Sequence, residues 1–223
     1  MEDLPSAARK VGRFFPDDEA RKSVRGTPDH ATPLTAEGER QARETGGALR
    51  QQWGMFDYIY HSGYRRAEQT ARGILDAYLE SERARLQVRH NLFLRERDSG
   101  YAYDMTNAEA EAAFPWLQDY WHTYGAFFAR PPGGESLADV AFRVYLFLNM
   151  LFRDRAGKRV LVVSHAMTIR TFRFLLERWT YDEAVKHFYE ERIPNCAVTT
   201  YELDAALGRL KLTRLAETLA GQK

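Results

Sequence analysis

Residues 158–179 read KRVLVVSHAMTIRTFRFLLERW: a β-branched apolar run, a Ser-His pair and an amphipathic helix in 22 positions. The RVLVV run is apolar on both faces, as expected of a strand buried in a parallel sheet with helices on either side. Directly after His165, AMTIRTFRFLLERW predicts a helix whose first free N–H groups and positive dipole end face whatever lies beside the imidazole. Ligands of open parallel sheets bind beyond the carboxyl ends of the strands, and His165 stands at such an end. A histidine there can donate to a phosphate oxygen or attack its phosphorus. It can equally cap the helix or hydrogen-bond within the core.

Outward from this stretch the chain alternates strands and helices. TAEGERQARETGGALRQQW predicts a helix with Thr35 as N-cap and weakly apolar positions at Ala42, Gly46 and Leu49. FDYIYHS reads as a short strand. YRRAEQTARGILDAYLE then places Ala67, Ala71, Ile74, Leu75 and Tyr78 on one helical face, and RLQVRH is a weaker strand candidate. Residues 91–135 break the rhythm with an aromatic-rich segment, a candidate cap or insertion, closed by a Pro-Pro-Gly-Gly turn. A long helix starts at Ser136, where Ser-Leu-Ala-Asp resembles a capping box, and Gly157 stops it. AVTTYELDAALGRLKLTRL predicts two strands joined as a hairpin at a sheet edge. The first 33 residues, with four of the eight prolines, read as loop. The expected architecture is one α/β domain over residues 1–223: a three-layer sandwich, mostly parallel sheet, helices on both faces.

Composition bounds the function. A chain of 223 residues with 44% hydrophobic content can bury one sizeable core. Charges nearly cancel, 32 basic against 31 acidic residues, so the balance points to no nucleic-acid or membrane partner. Cys196 is the single cysteine, and no stretch has the length and apolarity of a membrane span or the pattern of a signal peptide. A soluble, reducing, cytoplasmic setting is expected.

Six segments, in order, resemble the histidine phosphatase superfamily, also called phosphoglycerate mutase-like. PLTAEGERQA resembles its loop and first helix, YHSGYRRAEQTA its strand and arginine-bearing turn, and LRERDSG the segment with the acidic residue. RPPGGESLADVAFRV resembles its Pro-Gly-Gly-Glu-Ser helix start, VLVVSHAMTIR its second-histidine motif and IPNCAVTTYEL its late strand. The resemblance implies phosphoryl transfer through a phosphohistidine, with no cofactor and no metal, on a small phosphorylated substrate. It puts Arg66 in the phosphate-binding arginine position, Glu96 in the proton-donor position and His165 in the second-histidine position, with Ala166 beside the phosphate. Cationic forks and imidazoles converge in such sites because charge on the equatorial oxygens must be neutralised.

One family hallmark is missing: a strand followed by Arg-His-Gly-Glu/Asp-Ser, carrying the histidine that is phosphorylated. If Ser6 of SAARKVGRFF is that motif's serine, Glu2, Asp3, Leu4 and Pro5 occupy the four positions ahead of it. A parallel sheet lacking that inner strand would leave two unpaired edges. Three accounts follow: a shortened chain, a pseudoenzyme that binds a phosphorylated ligand or a protein partner, or a substitute nucleophile, for which His30 and His61 are the candidates. An in-line nucleophile needs placement within a fraction of an ångström, which a loop histidine rarely meets by chance. The remaining histidines, His90, His122 and His187, read as surface or half-buried residues. Gly133-Gly134-Glu135-Ser136 reads as a turn with a helix cap, Asn195 and Cys196 as structural, and the aromatics between Phe114 and Phe128 mostly as core. Phosphatase, mutase and binding protein all stay open. Glycine-rich nucleotide loops, compact metal-ligand clusters and a Gly-x-Ser-x-Gly nucleophile turn are all lacking.

Overall fold

The computed structural model describes Glu19, Lys22 and residues 26–219. Positions 2–15, on which the missing-motif expectation falls, lie outside the described residues. The chain divides into two compact units. Of the described residues, one contains His30–Arg95, Leu146–Ala166 and 192–219; the other contains Glu96–Tyr145 and Met167–Glu191 together with those ahead of His30.

A 3-10 turn, Asp29–Ala31, leads into helix α1, Ala36–Trp53, of the unit that starts at His30. The Thr35 hydroxyl accepts the Gly38 N–H at 3.1 Å and caps that helix. Strand β1, Tyr58–His61, is followed by α2, Arg65–Leu75, a short α3, Glu80–Arg83, and strand β2, Gln87–His90. Strand β3, Val160–Val163, completes a three-stranded parallel sheet in the order β2-β1-β3. His61 stands in register with His90 on one side and with Val163 on the other.

Among the described residues β1 therefore pairs on both edges. Ile59 shares one core cluster with Ala67, Ala71 and Ile74 of α2 and with Leu49 of α1. On the opposite face Tyr60 meets Phe147 edge-on, ring centroids 5.3 Å apart. Helices thus cover both faces of β1, and its two central residues are buried, as a parallel strand requires. β3 departs from expectation: only Val163 is buried, and among the described residues the strand has a ladder partner on one side alone, β1. Helices α1 and α2 approach so closely that a Cβ on Gly46 would lie 2.6 Å from the Ile74 Cα and carbonyl oxygen. The predicted hairpin forms from β4, Ala197–Asp204, and β5, Arg209–Thr218, but as its own two-stranded sheet rather than on the parallel one.

The other unit is helical. It holds α4, Asn107–Ala113, α5, Leu117–Tyr124, the first half of α6, Leu137–Asp154, nearly all of α7, Ala166–Glu177, and α8, Tyr181–Glu190. Its core joins Phe127, Leu137, Ala141, Ala184 and Phe188. Ser136 caps α6 by exchanging bonds with Asp139: its N–H and hydroxyl both reach Oδ2, and its Oγ accepts the Asp139 N–H. The aromatic segment is mostly not core. Phe127 is buried, but Trp116, Tyr124 and Phe128 are exposed, and Trp116 and Tyr124 each pack on Tyr120 instead. An eight-residue helix has one narrow buried stripe, which Leu117 occupies.

Candidate active site

Parallel pairing of β1 with β3 brings their carboxyl ends side by side. Because His61 is opposite Val163, the chain leaves β1 through Ser62 and β3 through Ser164 and His165. Ser62 is fully buried and His165 is 8% exposed. The Ser62 hydroxyl lies 2.8 Å from His165 Nε2. From the first turn of α2, Arg66 Nε donates to His165 Nδ1 at 3.3 Å.

Those two bonds fix the imidazole tautomer. A guanidinium can only donate, so Nδ1 is the acceptor and Nε2 of the neutral ring carries the proton, which goes to Ser62 Oγ. The same hydroxyl oxygen accepts the Tyr64 N–H at 3.2 Å. Its two lone pairs are then in use. The Tyr64 ring closes one side, 5.2 Å from the His165 ring and 5.0 Å below the Arg66 guanidinium carbon. Ser164 turns away, donating its hydroxyl to the Leu94 carbonyl at 2.8 Å and so fixing the backbone that carries His165. Ala166 is the first residue of α7, so its N–H is one of the amides without an intrahelical partner.

Arg66 and His165 are thus together. The other candidates are arranged less directly. His30 meets the Tyr64 ring edge-on at 6.3 Å and is exposed. His61 accepts the Gly63 N–H on Nδ1 at 3.2 Å, which leaves its neutral Nε2 protonated and unable to attack. Burial pushes the His61 pKa below the ordinary histidine value against the opposing pull of Glu68. His90 and His122 are exposed; His187 is half-buried, stacked on Trp179 and paired with Glu191 at 2.6 Å. Cys196 is half-buried, and burial raises its thiol pKa, which makes it a poor nucleophile.

Glu96 belongs to the helical unit. Its Oε1 accepts the Arg97 N–H at 2.9 Å, and Oε2 lies 3.4 Å from the Met167 N–H in the first turn of α7. Glu135 organises this segment: its carboxylate makes two bonds with Arg143, at 3.0 and 3.1 Å, and accepts the Asp98 N–H. Arg143 also donates to the Glu96 carbonyl at 3.2 Å. Gly134 is required here, because a Cβ would sit 2.5 Å from the Asp98 carbonyl oxygen. Among the described residues no group of three or more His, Cys, Asp or Glu is placed to hold a metal.

The model of the histidine phosphatase superfamily (branch 1) matches residues 17–216. The chain belongs to that superfamily. A phosphoglycerate mutase-like protein of Arabidopsis thaliana is 32% identical over 202 residues, covering 81% of this chain and 67% of that one. A 2,3-bisphosphoglycerate-dependent phosphoglycerate mutase of Rhizobium etli is 32% identical over 199 residues, 88% of this chain and 90% of its own length. The fold matches that of a mycobacterial glucosyl-3-phosphoglycerate phosphatase solved with inorganic phosphate: TM-score 0.69, 22% identity, 90% of this chain and 95% of that one.

For this member of the histidine phosphatase superfamily, sequence reasoning missed Ser62, Tyr64 and the Glu135–Arg143 clamp. Ser62 had a signal, a small polar residue ending an apolar strand as Ser164 does. The clamp had less of one, since Glu135 and Arg143 meet only once the turn at Gly134 and two turns of α6 are built. The site's side chains offer a guanidinium and, on exchange of the Ser62 bond, an imidazole N–H in a water-poor corner, a combination suited to a tetrahedral oxyanion.

Proposed function

We propose that the protein is a phosphomonoester hydrolase acting on a small phosphorylated metabolite, with Arg66 and His165 holding the phosphoryl oxygens, the Ala166 N–H beside them and Glu96 protonating the leaving oxygen. The observation that carries the reading is the buried His165 fixed between Ser62 Oγ and Arg66 Nε at the ends of adjacent parallel strands. An imidazole held in one tautomer beside a guanidinium becomes a donor to a phosphoryl oxygen once its Nε2 proton is exchanged from Ser62 Oγ to the ligand, which is what the charge on a transferring phosphoryl group needs. Relatives named phosphoglycerate mutases and a fold neighbour named a glucosyl-3-phosphoglycerate phosphatase support a phosphate ester of a small molecule as ligand. Mutase-type transfer uses the same grip and differs only in the acceptor.

One observation favours a second reading, binding without turnover: the lone pair of His165 is committed to Arg66, and that of His61 to Gly63. Hydrolysis of p-nitrophenyl phosphate by the chain and by its His165→Ala variant separates the two. Turnover that disappears in the variant supports the hydrolase. A folded chain that turns nothing over yet binds phenylphosphonate through Arg66 and His165 is a phospholigand binder. A chain that does neither overturns the assignment of the site.

A further inference from the structure

At the opposite, N-terminal ends of the three parallel strands, the unit that starts at His30 holds a polar cavity of about 400 Å³, a size that accommodates a small ligand. Arg85 lines it from the turn before β2, Lys158 and Arg159 from the turn before β3, and Asp57 from the residue before β1. Asp57 is already engaged: its Oδ2 accepts the Arg159 N–H at 2.9 Å and its Oδ1 lies 3.6 Å from Lys158 Nζ. These partners hold its carboxyl below the usual aspartate range. With one ionised carboxylate against three cations, the wall carries a net charge of +2.

Two donors are disposed toward an incoming anion. The Arg85 side chain makes no hydrogen bond or ion pair among the described residues, whereas Arg40, Arg72 and Arg130 each hold a carboxylate. Gln87 receives Arg89 Nη2 on its oxygen at 3.2 Å, which leaves its amide N–H groups to donate. Phe56 adds an apolar wall.

We propose that this cavity is an anion site distinct from the one at His165, taking the dianionic phosphate of a small phosphate ester on Arg85, Lys158 and Arg159. The charge matches a phosphomonoester dianion, and a planar fork such as that of Arg85 suits two phosphate oxygens at once. A concave wall that includes Asp57, on a chain of formal net charge +1, suits a small ester rather than an extended polyanion. Strands β1 and β3 each have this cavity ahead of their first residue and the Ser62–His165 pair beyond their last. Four residues of strand, about 13 Å, separate the two sites. An anion bound here stabilises the folded chain by mass action without touching the candidate active site.

The test uses phenylphosphonate, a non-hydrolysable phosphate-ester mimic, titrated calorimetrically into the full chain carrying Arg66→Ala, which disables the site at His165. One binding event is expected to remain, and adding Arg85→Ser with Lys158→Ser is expected to weaken it at least tenfold. Adding Arg85→Lys alone is expected to recover part of that loss. Both residues are exposed, so a circular dichroism spectrum unchanged from wild type is expected of every variant. No binding to the Arg66→Ala chain, or binding indifferent to Arg85 and Lys158, overturns the proposal. Neither result depends on whether the site at His165 turns substrate over.

Discussion

Ser62 Oγ and His165 Nε2 lie 2.8 Å apart, both buried, although 103 residues separate them in the chain. The parallel pairing of β1 with β3 creates this contact, and the contact orients the ring that Arg66 approaches from the other side. A serine hydroxyl is thereby the base of the candidate site, and its removal is the most direct probe of it.

Ser62→Ala leaves the His165 Nε2 proton and the Tyr64 N–H without their acceptor in a buried setting. An unmet buried donor costs about 1–3 kcal/mol, so urea denaturation is expected to show a stability loss in that range. Phenylphosphonate affinity is expected to fall as well, since the ring loses its fixed orientation. A variant as stable as the wild type, with unchanged affinity, would show that the bond contributes nothing.

Arg66→Lys keeps the charge and loses the fork. Its Nε bond to His165 Nδ1 and its position over the Tyr64 ring both depend on guanidinium geometry. Binding of phenylphosphonate is expected to weaken about tenfold, or ~1.4 kcal/mol. Equal affinity in the two proteins would mean that only charge matters at this position.

Gly46→Ala tests the packing of α1 on α2. The added methyl meets Ile74 backbone at 2.6 Å, and neither helix can yield there without moving. Overpacking of this kind costs about 1–3 kcal/mol even though alanine is the better helix former. Thermal unfolding of the variant is expected to begin at a lower temperature, and an unchanged midpoint would show that the helices separate freely.

What could be read from sequence was whatever one element encodes by itself. Thr35 announces α1, Ser136 announces α6, and Ile59 within an apolar run announces a strand, because caps and periodicity are local. Arg66 and His165 followed from motifs spanning a few residues each. Ser62 did not, because its role exists only once β1 and β3 are paired in register. The exposure of β3 and of Trp116 and Tyr124 is likewise set by what packs beside them, which periodicity does not specify.

His61 sets a pH dependence of stability. Its folded-state pKa lies below the ordinary value of about 6.5, mainly through burial. Above that value neither state holds the proton and there is no penalty. As pH falls through about 6.5 the unfolded chain takes up a proton that the folded chain refuses, so stability declines until the folded-state pKa is passed. His61→Gln is expected to flatten this acid slope in urea midpoints recorded between about pH 7 and pH 5. An identical slope in both proteins would assign it to other groups.

The Glu135–Arg143 pair bears on how Glu96 is held. The two side chains are 14% and 5% exposed, joined by two bonds, and Arg143 reaches on to the Glu96 carbonyl. Arg143→Met takes the Arg143 guanidinium away from the buried Glu135 carboxylate, a change that costs about 3–5 kcal/mol. Adding Glu135→Met removes the stranded charge, and that double variant is expected to recover a large part of the stability. Activity is not expected to return with it, because the Glu96 carbonyl has lost the Arg143 guanidinium and the Asp98 N–H the Glu135 carboxylate. Stability and p-nitrophenyl phosphate turnover are therefore expected to part company in the double variant. If turnover recovers in step with stability, the clamp is structural only and Glu96 needs no help from it.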